Sequence, residues 1–341
     1  MSTLLELSDL EVTYRIPGRK SKPLRAVDGV SLTVNAGETV GLVGESGSGK
    51  STIGRAVLGL TPPSGGEIRF DGADITHASG PARRSLAEDL QVIFQNPFSS
   101  LNPSHPVGKT LAEPLLMQPG MTKARAQSKV TELLRAVGLP ADAAERYPDK
   151  FSGGQRQRIA IARALAISPK LVVCDEAVSA LDVSTQAQVI NLLDELQDRL
   201  GVAYLFIAHD IAVVRHISDR VVVLYRGQVM ESGPADRVCD RPLHPYTKAL
   251  VAAAPVANPT LQRQRRELRR QSVSATTAGA SHASETGCPF AVRCPHSAPV
   301  CLSTRPTTTV SEGVQVACHL YDPASLHPES VGVRRIPAHI A

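Results

Sequence analysis

Gly44-Glu45-Ser46-Gly47-Ser48-Gly49-Lys50-Ser51-Thr52 has the spacing G-x-x-x-x-G-K-[ST], and the chemistry of that pattern is the capture of a polyphosphate. Glycines let backbone N–H groups converge on an anion, and a helix start adds positive potential. In such a loop Lys50 reaches the β- and γ-phosphates, and the Ser51 hydroxyl ligates Mg²⁺. The competing reading is a Gly/Ser-rich turn that binds nothing. The flanks decide: residues 38–43 read as a short buried strand, and residues 52–60 have helical spacing that stops at Thr61-Pro62-Pro63. Strand, loop and helix are the context the motif requires.

Further groups are candidates for the same chemistry. Leu171-Val172-Val173-Cys174 runs apolar into Asp175-Glu176, as a strand buried on both faces of a parallel sheet does. Carboxylates at the C-terminal end of such a strand sit where α/β sheets bind ligands. Asp175 suits Mg²⁺, directly or through water, and Glu176 suits activation of an attacking water; the alternative is a solvated strand end. A second apolar run, residues 202–208, ends at His209, which is a cap, a core residue or a contact to the γ-phosphate. Ser152-Gly153-Gly154-Gln155 opens a helix through about Ala166. Ser152 caps it, and paired glycines expose N–H groups at its positive end. This is a second anion site or a simple cap after a Gly turn. Tyr14, near the end of the alternating run 4–16, is placed to stack on a base or is an ordinary strand residue.

Four cysteines lie apart from these groups. Cys288, Cys294, Cys301 and Cys318 follow C-x₅-C-x₆-C-x₁₆-C within a Pro-rich, loop-like segment. Four thiols where apolar residues are few suggest a bound centre that folds the segment. The spacing lacks the tight C-x₂-C pairs of common zinc sites, and four thiolates also satisfy a [4Fe–4S] cluster. Zinc, the cluster and four free thiols all stay open on spacing alone. Cys174 and Cys239 read as structural or incidental.

The elements that must hold these groups are short strands alternating with helices, an α/β pattern. Residues 24–34, 67–70 and 90–95 read as strands, residues 82–90 and 108–146 as largely helical, and residues 221–225 and 228–231 as a hairpin. Beyond about residue 256 five arginines fall between Gln262 and Arg270, followed by a Ser/Ala/Thr-rich run. That composition reads as a linker. The arginines form a solvated face, or more sharply a contact to acidic lipid. The organisation expected is a phosphate-loop domain over 1–256, with a helical part at about 96–168, a linker over 257–287 and a Cys-rich segment over 288–325.

Composition sets limits. A chain of 341 residues with 42% hydrophobic and 20% charged residues suits a soluble globular protein. A net charge of +5, no Trp and 4% aromatics argue against nucleic acid as partner. The N-terminus shows no signal peptide, and no apolar stretch approaches about 20 residues, so any pore is expected to come from other chains.

Taken in order, residues 44–52, Gln95, Ser152-Gly153-Gly154-Gln155, Asp175-Glu176, Ser179-Ala180-Leu181-Asp182 and His209 resemble an ABC-transporter ATPase subunit over roughly residues 4–255. The resemblance implies a P-loop, RecA-like α/β core, a small antiparallel β subdomain and a helical subdomain carrying the Ser152 signature. It implies ATP and Mg²⁺ as cofactors, Tyr14 on adenine, Gln95 sensing Mg²⁺ and the membrane partner, Asp182 at the nucleotide, and His209 on the γ-phosphate. It also implies a second ATPase subunit whose nucleotide the Ser152 signature covers. Gln95-Asn96-Pro97-Phe98-Ser99-Ser100-Leu101-Asn102-Pro103, His244-Pro245-Tyr246-Thr247 and the Cys-bearing tail resemble more narrowly the dipeptide/oligopeptide importer ATPases, the second or F-type of the paired subunits. That likeness implies a heterodimer on the cytoplasmic face of the inner membrane, two multi-span permease subunits, an extracytoplasmic solute-binding protein, and peptide as solute, with nickel or another small solute as the alternative. It favours the [4Fe–4S] cluster over zinc. Two departures stand out: Phe151 where the family has Leu, and Ala177-Val178 where it often has Pro-Thr. Neither removes a ligand. A soluble ABC-type ATPase acting on DNA or ribosomes usually carries tandem modules or a long coiled coil, and neither is visible here. A nucleotide-holding regulator without turnover is disfavoured by Glu176 and His209.

Overall fold

The structure is a computed structural model that describes residues 2–15, 23–96, 101–254 and 286–330. Pro97-Phe98-Ser99-Ser100 and the Arg-rich run 262–270 lie outside the described residues. The chain divides into two compact units, one of Met1–Gly41 with Ser51–Ala208, the other of Leu42–Lys50 with His209–Ala341.

In the first unit, β1 (Thr3–Tyr14) pairs antiparallel with β2 (Leu24–Asn35). Leu5, Leu7, Leu10, Val12, Val27, Val30 and Val34 are buried, the alternation of each strand being shifted by one residue at the irregularity between Leu7 and Leu10, where Asp9 takes φ 47°. β3 (Thr39–Val43) leads into α1 (Lys50–Val57). β4 (Gly65–Phe70) and β5 (Ala73–Asp74) complete the antiparallel sheet in the order β2-β1-β4-β5. After α2 (Gly80–Asp89) comes a parallel set: β6 (Leu90–Ile93), β7 (Leu171–Asp175) and β8 (Ala203–Ala208). Thr39–Gly41, the part of β3 in this unit, borders β8, where Tyr204 N–H donates to the Glu38 carbonyl. β8 is buried throughout and β7 in all but Asp175, the burial that helices on both faces of a parallel sheet produce.

Between β6 and β7 lie α3 (Val107–Leu116), α4 (Lys123–Ala136) and α5 (Gly153–Leu165), packed on one another, with Leu111, Leu115, Val130, Leu134 and Ile159 buried. The stretch expected as largely helical is therefore two helices and a 3₁₀ turn. It breaks where Gly120 and Gly138 take φ of 75° and 72°, a region that L side chains avoid. α6 (Val183–Leu200) precedes β8 and buries Val189, Leu193 and Leu196.

In the second unit, α7 (Ile211–Ile217) leads to the hairpin β9 (Arg220–Tyr225) and β10 (Gln228–Pro234), then α8 (Ala235–Asp240) and α9 (Pro245–Ala253). Glu231, fully buried, accepts the Leu243 and His244 N–H groups at 2.8 and 2.9 Å and so fixes the approach to α9. Burial pushes that carboxyl above its ordinary range. The Cys-bearing segment is less loop-like than its composition predicts. After a 3₁₀ turn at Ala291–Arg293 and α10 (Pro299–Ser303), β11 (Thr308–Ser311) and β12 (Val314–Ala317) form a hairpin. β12 then pairs with β10. Glu312 and Gly313 at the turn have φ of 52° and 78°, the left-handed pair that a type I′ hairpin turn needs.

Candidate functional site

In the second unit, the residues of the phosphate loop are held by close backbone approaches. A Cβ on Gly44 would stand 2.1 Å from the Leu224 carbonyl oxygen, so no other residue fits. Gly49 takes φ 103°, again outside the range of L side chains. Ser48 N–H donates to the Glu45 carbonyl, and the Ser48 carbonyl accepts Gly227 N–H at 2.9 Å. Lys50 is only 4% exposed. Its ammonium donates to the carbonyls of Gly44 and Glu45 at 2.8 and 3.0 Å, and Ser48 Oγ lies at 3.4 Å. A buried ammonium needs such oxygens, and they aim it along the loop. Glu45 N–H donates to Tyr246 Oη at 2.9 Å. His209 is exposed just before α7, which Asp210 caps by accepting Ala212 N–H.

In the first unit, Ser51 Oγ donates to Asp175 Oδ1 at 2.7 Å. A hydroxyl and a carboxylate oxygen side by side are hard donors of the kind Mg²⁺ takes, so the chemistry of the pair fits that ion. Glu176 follows with φ 50°, unusual for a residue with a side chain. Its N–H donates to the Ile207 carbonyl at 3.0 Å. Its own carbonyl accepts both N–H and Oγ–H of Ser179, and Gln95 Nε2 donates to Ser179 Oγ at 3.2 Å. Gln95 is thus tied through one serine to the backbone of Glu176. Tyr14 is exposed at the end of β1.

Ser152 starts α5 with a reciprocal capping box. Its Oγ accepts Gln155 N–H, and Gln155 Oε1 accepts Ser152 N–H at 3.0 Å. A Cβ on Gly154 would stand 2.3 Å from Thr185 Cγ2. Thr185 cannot swing away freely, because Asp182 accepts both its N–H and its hydroxyl. The start of α5 therefore lies against the start of α6, where Asp182 is the cap. A hydrogen bond from the Ser184 hydroxyl, with the two from Thr185, holds the Asp182 carboxyl well below the usual range.

The four tail cysteines line one small cavity of about 10 Å³, shared with Phe290, His244, His296, His319 and His327. All four are free thiols. Burial pushes Cys294 up to about 11 and Cys318 to about 12, and raises Cys288. Burial also pushes His244 down to about 3. The ring is therefore neutral, and its Nδ1 accepts Tyr246 N–H at 3.0 Å. The proton must then sit on Nε2, which is buried with no partner among the described residues. Such an orphan costs about 1–3 kcal/mol. Among the described residues no group of three or more His, Cys, Asp or Glu side chains is placed to hold a single metal ion. The expected thiols thus share a cavity without closing on one ion.

Sequence spacing does not reveal Arg293. In the second unit its guanidinium grips the Glu45 carboxylate with both nitrogens, at 2.8 and 2.9 Å. The only signal is an Arg beside a Cys in a Pro-rich run.

A glycine loop that opens a helix directly after a buried strand defines a P-loop protein. The family model described as "ABC transporter" matches residues 27–179, and that of the "Oligopeptide/dipeptide transporter, C-terminal region" matches residues 230–301. The chain belongs to the ABC transporter family. It is 45% identical to the oligopeptide transport ATP-binding protein OppF of Salmonella typhimurium, over 94% of this chain and 97% of that one. It is 43% identical to the di/tripeptide transport ATP-binding protein DppF of Pseudomonas aeruginosa, over 94% and 98%. Among solved structures, the dimeric ATP-binding cassette MJ0796 in a post-hydrolysis state bound to ADP and Pi is similar, with TM-score 0.62, 28% identity and coverage of 68% of this chain and 99% of that one. cbiO1 from Clostridium perfringens, part of the ABC transporter complex cbiONQ, matches with TM-score 0.65, 25% identity and coverage of 79% and 100%. The fold is that of an ABC ATPase, with an antiparallel sheet subdomain and helices. No described helix is long and apolar enough to cross a membrane.

Proposed function

We propose that this chain is the ATP-hydrolysing subunit that energises peptide import through a membrane ABC transporter. The observation that carries the proposal is the match to an oligopeptide transport ATP-binding protein over 97% of that protein's length. The reaction is attack of water on the γ-phosphorus of ATP, with the bond to ADP breaking in line. Lys50 and the loop N–H groups bind the phosphates, Ser51 and Asp175 hold Mg²⁺, and Mg²⁺ supplies charge neutralisation. Glu176 takes the proton of the attacking water. Gln95, through Ser179, orients the Glu176 backbone and faces the membrane partner. Tyr14 stacks on adenine, and His209 contacts the γ-phosphate. Ser152, Gly153, Gly154 and Gln155, with Asp182 beside them, complete the site of a second ATPase subunit. Two nucleotides then join two chains, and hydrolysis releases them. The subunit sits peripherally on the cytoplasmic face of the inner membrane, below two permease subunits fed by an extracytoplasmic binding protein. The domain boundaries are those expected above.

The test is co-expression with candidate permease and binding-protein subunits, reconstitution into vesicles, and uptake of labelled peptides. ATP-dependent uptake of peptide is expected, with hydrolysis stimulated by the peptide-loaded binding protein. Uptake of nickel but not peptide would overturn the substrate, and turnover indifferent to the permeases would overturn the coupling.

The tail is proposed to hold a [4Fe–4S] cluster on Cys288, Cys294, Cys301 and Cys318, with zinc second. Four thiols around one cavity support a thiolate-bound centre. Positive charge also favours thiolates that burial otherwise keeps protonated. Anaerobically purified protein is expected to show broad absorbance near 400 nm, with iron and sulfide in equal amounts (about four of each per chain). Colourless protein with stoichiometric zinc would move the assignment to zinc. Four titratable thiols without metal would remove both.

A further inference from the structure

The phosphate loop contains a carboxylate that works against its purpose. Glu45 is the second residue of the loop, and a negative side chain there repels the polyphosphate the loop collects. In the second unit that charge is masked from the far end of the chain. Arg293 Nη1 and Nη2 donate to Glu45 Oε2 and Oε1 at 2.8 and 2.9 Å, a fork-to-fork pair with both geometry and charge. The guanidinium itself is held. Its Nη1 also donates to Tyr225 Oη at 3.4 Å, and its carbon lies 5.8 and 5.6 Å from the Tyr225 and Phe290 ring centres. Tyr225, Tyr246 and Phe290 pack on one another with ring centres 4.6 to 5.4 Å apart. Tyr246 from that cluster accepts Glu45 N–H. Both ends of one loop residue, backbone and carboxylate, are therefore anchored by residues outside the loop.

We infer that Arg293, in the Cys-bearing segment, is a positioning residue of the nucleotide site in its own chain, turning the Glu45 carboxylate aside and neutralising it. The segment is then a working part of the phosphate loop's surroundings. Its role falls on nucleotide affinity, because the pair acts on ground-state and transition-state phosphates alike. The inference rests on the reading of the loop as an ATP site.

The test is a double-mutant cycle on the full chain in its reconstituted transporter, with E45Q, R293M, R293K and the double variants E45Q/R293M and E45Q/R293K. R293M should raise the KM for ATP, and the Kd measured with Mg²⁺-ATP, about fivefold, the upper end for an ion pair of this exposure. kcat should change less than twofold. In the E45Q background the same substitution should change KM and Kd less than twofold, since no charge is left to mask. R293K, which keeps charge but loses the fork, should fall between. An equal penalty in both backgrounds, or a fall in kcat with KM unmoved, would overturn the inference in favour of a purely structural arginine. So would R293M binding ATP as the unsubstituted chain does. Failure of the unsubstituted chain to bind ATP would instead overturn the ATP reading itself. If R293M does not fold, R293K decides. Weaker ATP binding by R293K where Glu45 is kept, but not in the E45Q background, supports masking, and equal effects reject it.

Discussion

Lys50→Ala is expected to weaken ATP binding by about 10²-fold or more. Hydrogen bonds to charged groups are worth about 1.5–3 kcal/mol each, and one ammonium spanning two phosphates makes more than one. Each 1.4 kcal/mol is about tenfold. Lys50 is buried, and its ammonium already lies along the loop against the Gly44 and Glu45 carbonyls. In the proposed site it would turn from those oxygens toward a phosphate. The substitution also removes the donor those carbonyls use, so loop rigidity falls with the charge. Two measurements separate the effects. Nucleotide-dependent thermal stabilisation, which grows with ligand concentration over Kd, should vanish in Lys50→Ala. The unliganded melting temperature should move only a few degrees. Retained stabilisation by ATP would remove Lys50 from the proposed site.

How far the site is legible depends on whether its parts are local. Residues 44–52 carry their geometry in one run of glycines, so the loop and the helix after it can be read directly. Asp175 and Glu176 are legible because four apolar residues before them leave little choice but a buried strand, which β7 is. The Ser51–Asp175 hydrogen bond joins residues 124 positions apart, and only the shared chemistry of Mg²⁺ pairs them in advance. Arg293 and Glu45 are 248 positions apart. Arg293 sits in no motif that points to an anion, so nothing in spacing connects them. The β11–β12 hairpin is hidden for another reason. Four-residue strands give too short an alternation to stand out beside the prolines, and Glu312-Gly313 is a weaker turn signal than Asn-Gly. What holds β12 is pairing with β10, a contact more than 80 residues away in sequence.

Glu176→Gln is expected to leave ATP binding within about threefold and to lower turnover by about 10²–10⁴-fold, the range for losing a positioned general base. Gln keeps the shape and loses the proton acceptor. The backbone argues that this carboxylate is placed and not incidental. φ of 50° at Glu176 costs about 1–3 kcal/mol for a residue with a Cβ. It is sustained by the bond to the Ile207 carbonyl and by the two that Ser179 donates to the Glu176 carbonyl. Such strain persists only where the surroundings over-determine it, here at the C-terminal end of a parallel strand, where α/β sheets bind ligands. Glu176→Gly supplies the control. Glycine adopts this φ without strain, so that variant should be at least as stable as the unsubstituted chain and as inactive as Glu176→Gln. Phosphate release by the reconstituted transporter, read beside nucleotide affinity, distinguishes the outcomes. Glu176→Gln hydrolysing ATP at the unsubstituted rate would show that another group takes the proton. An active Glu176→Gly would make the same point without any question of folding.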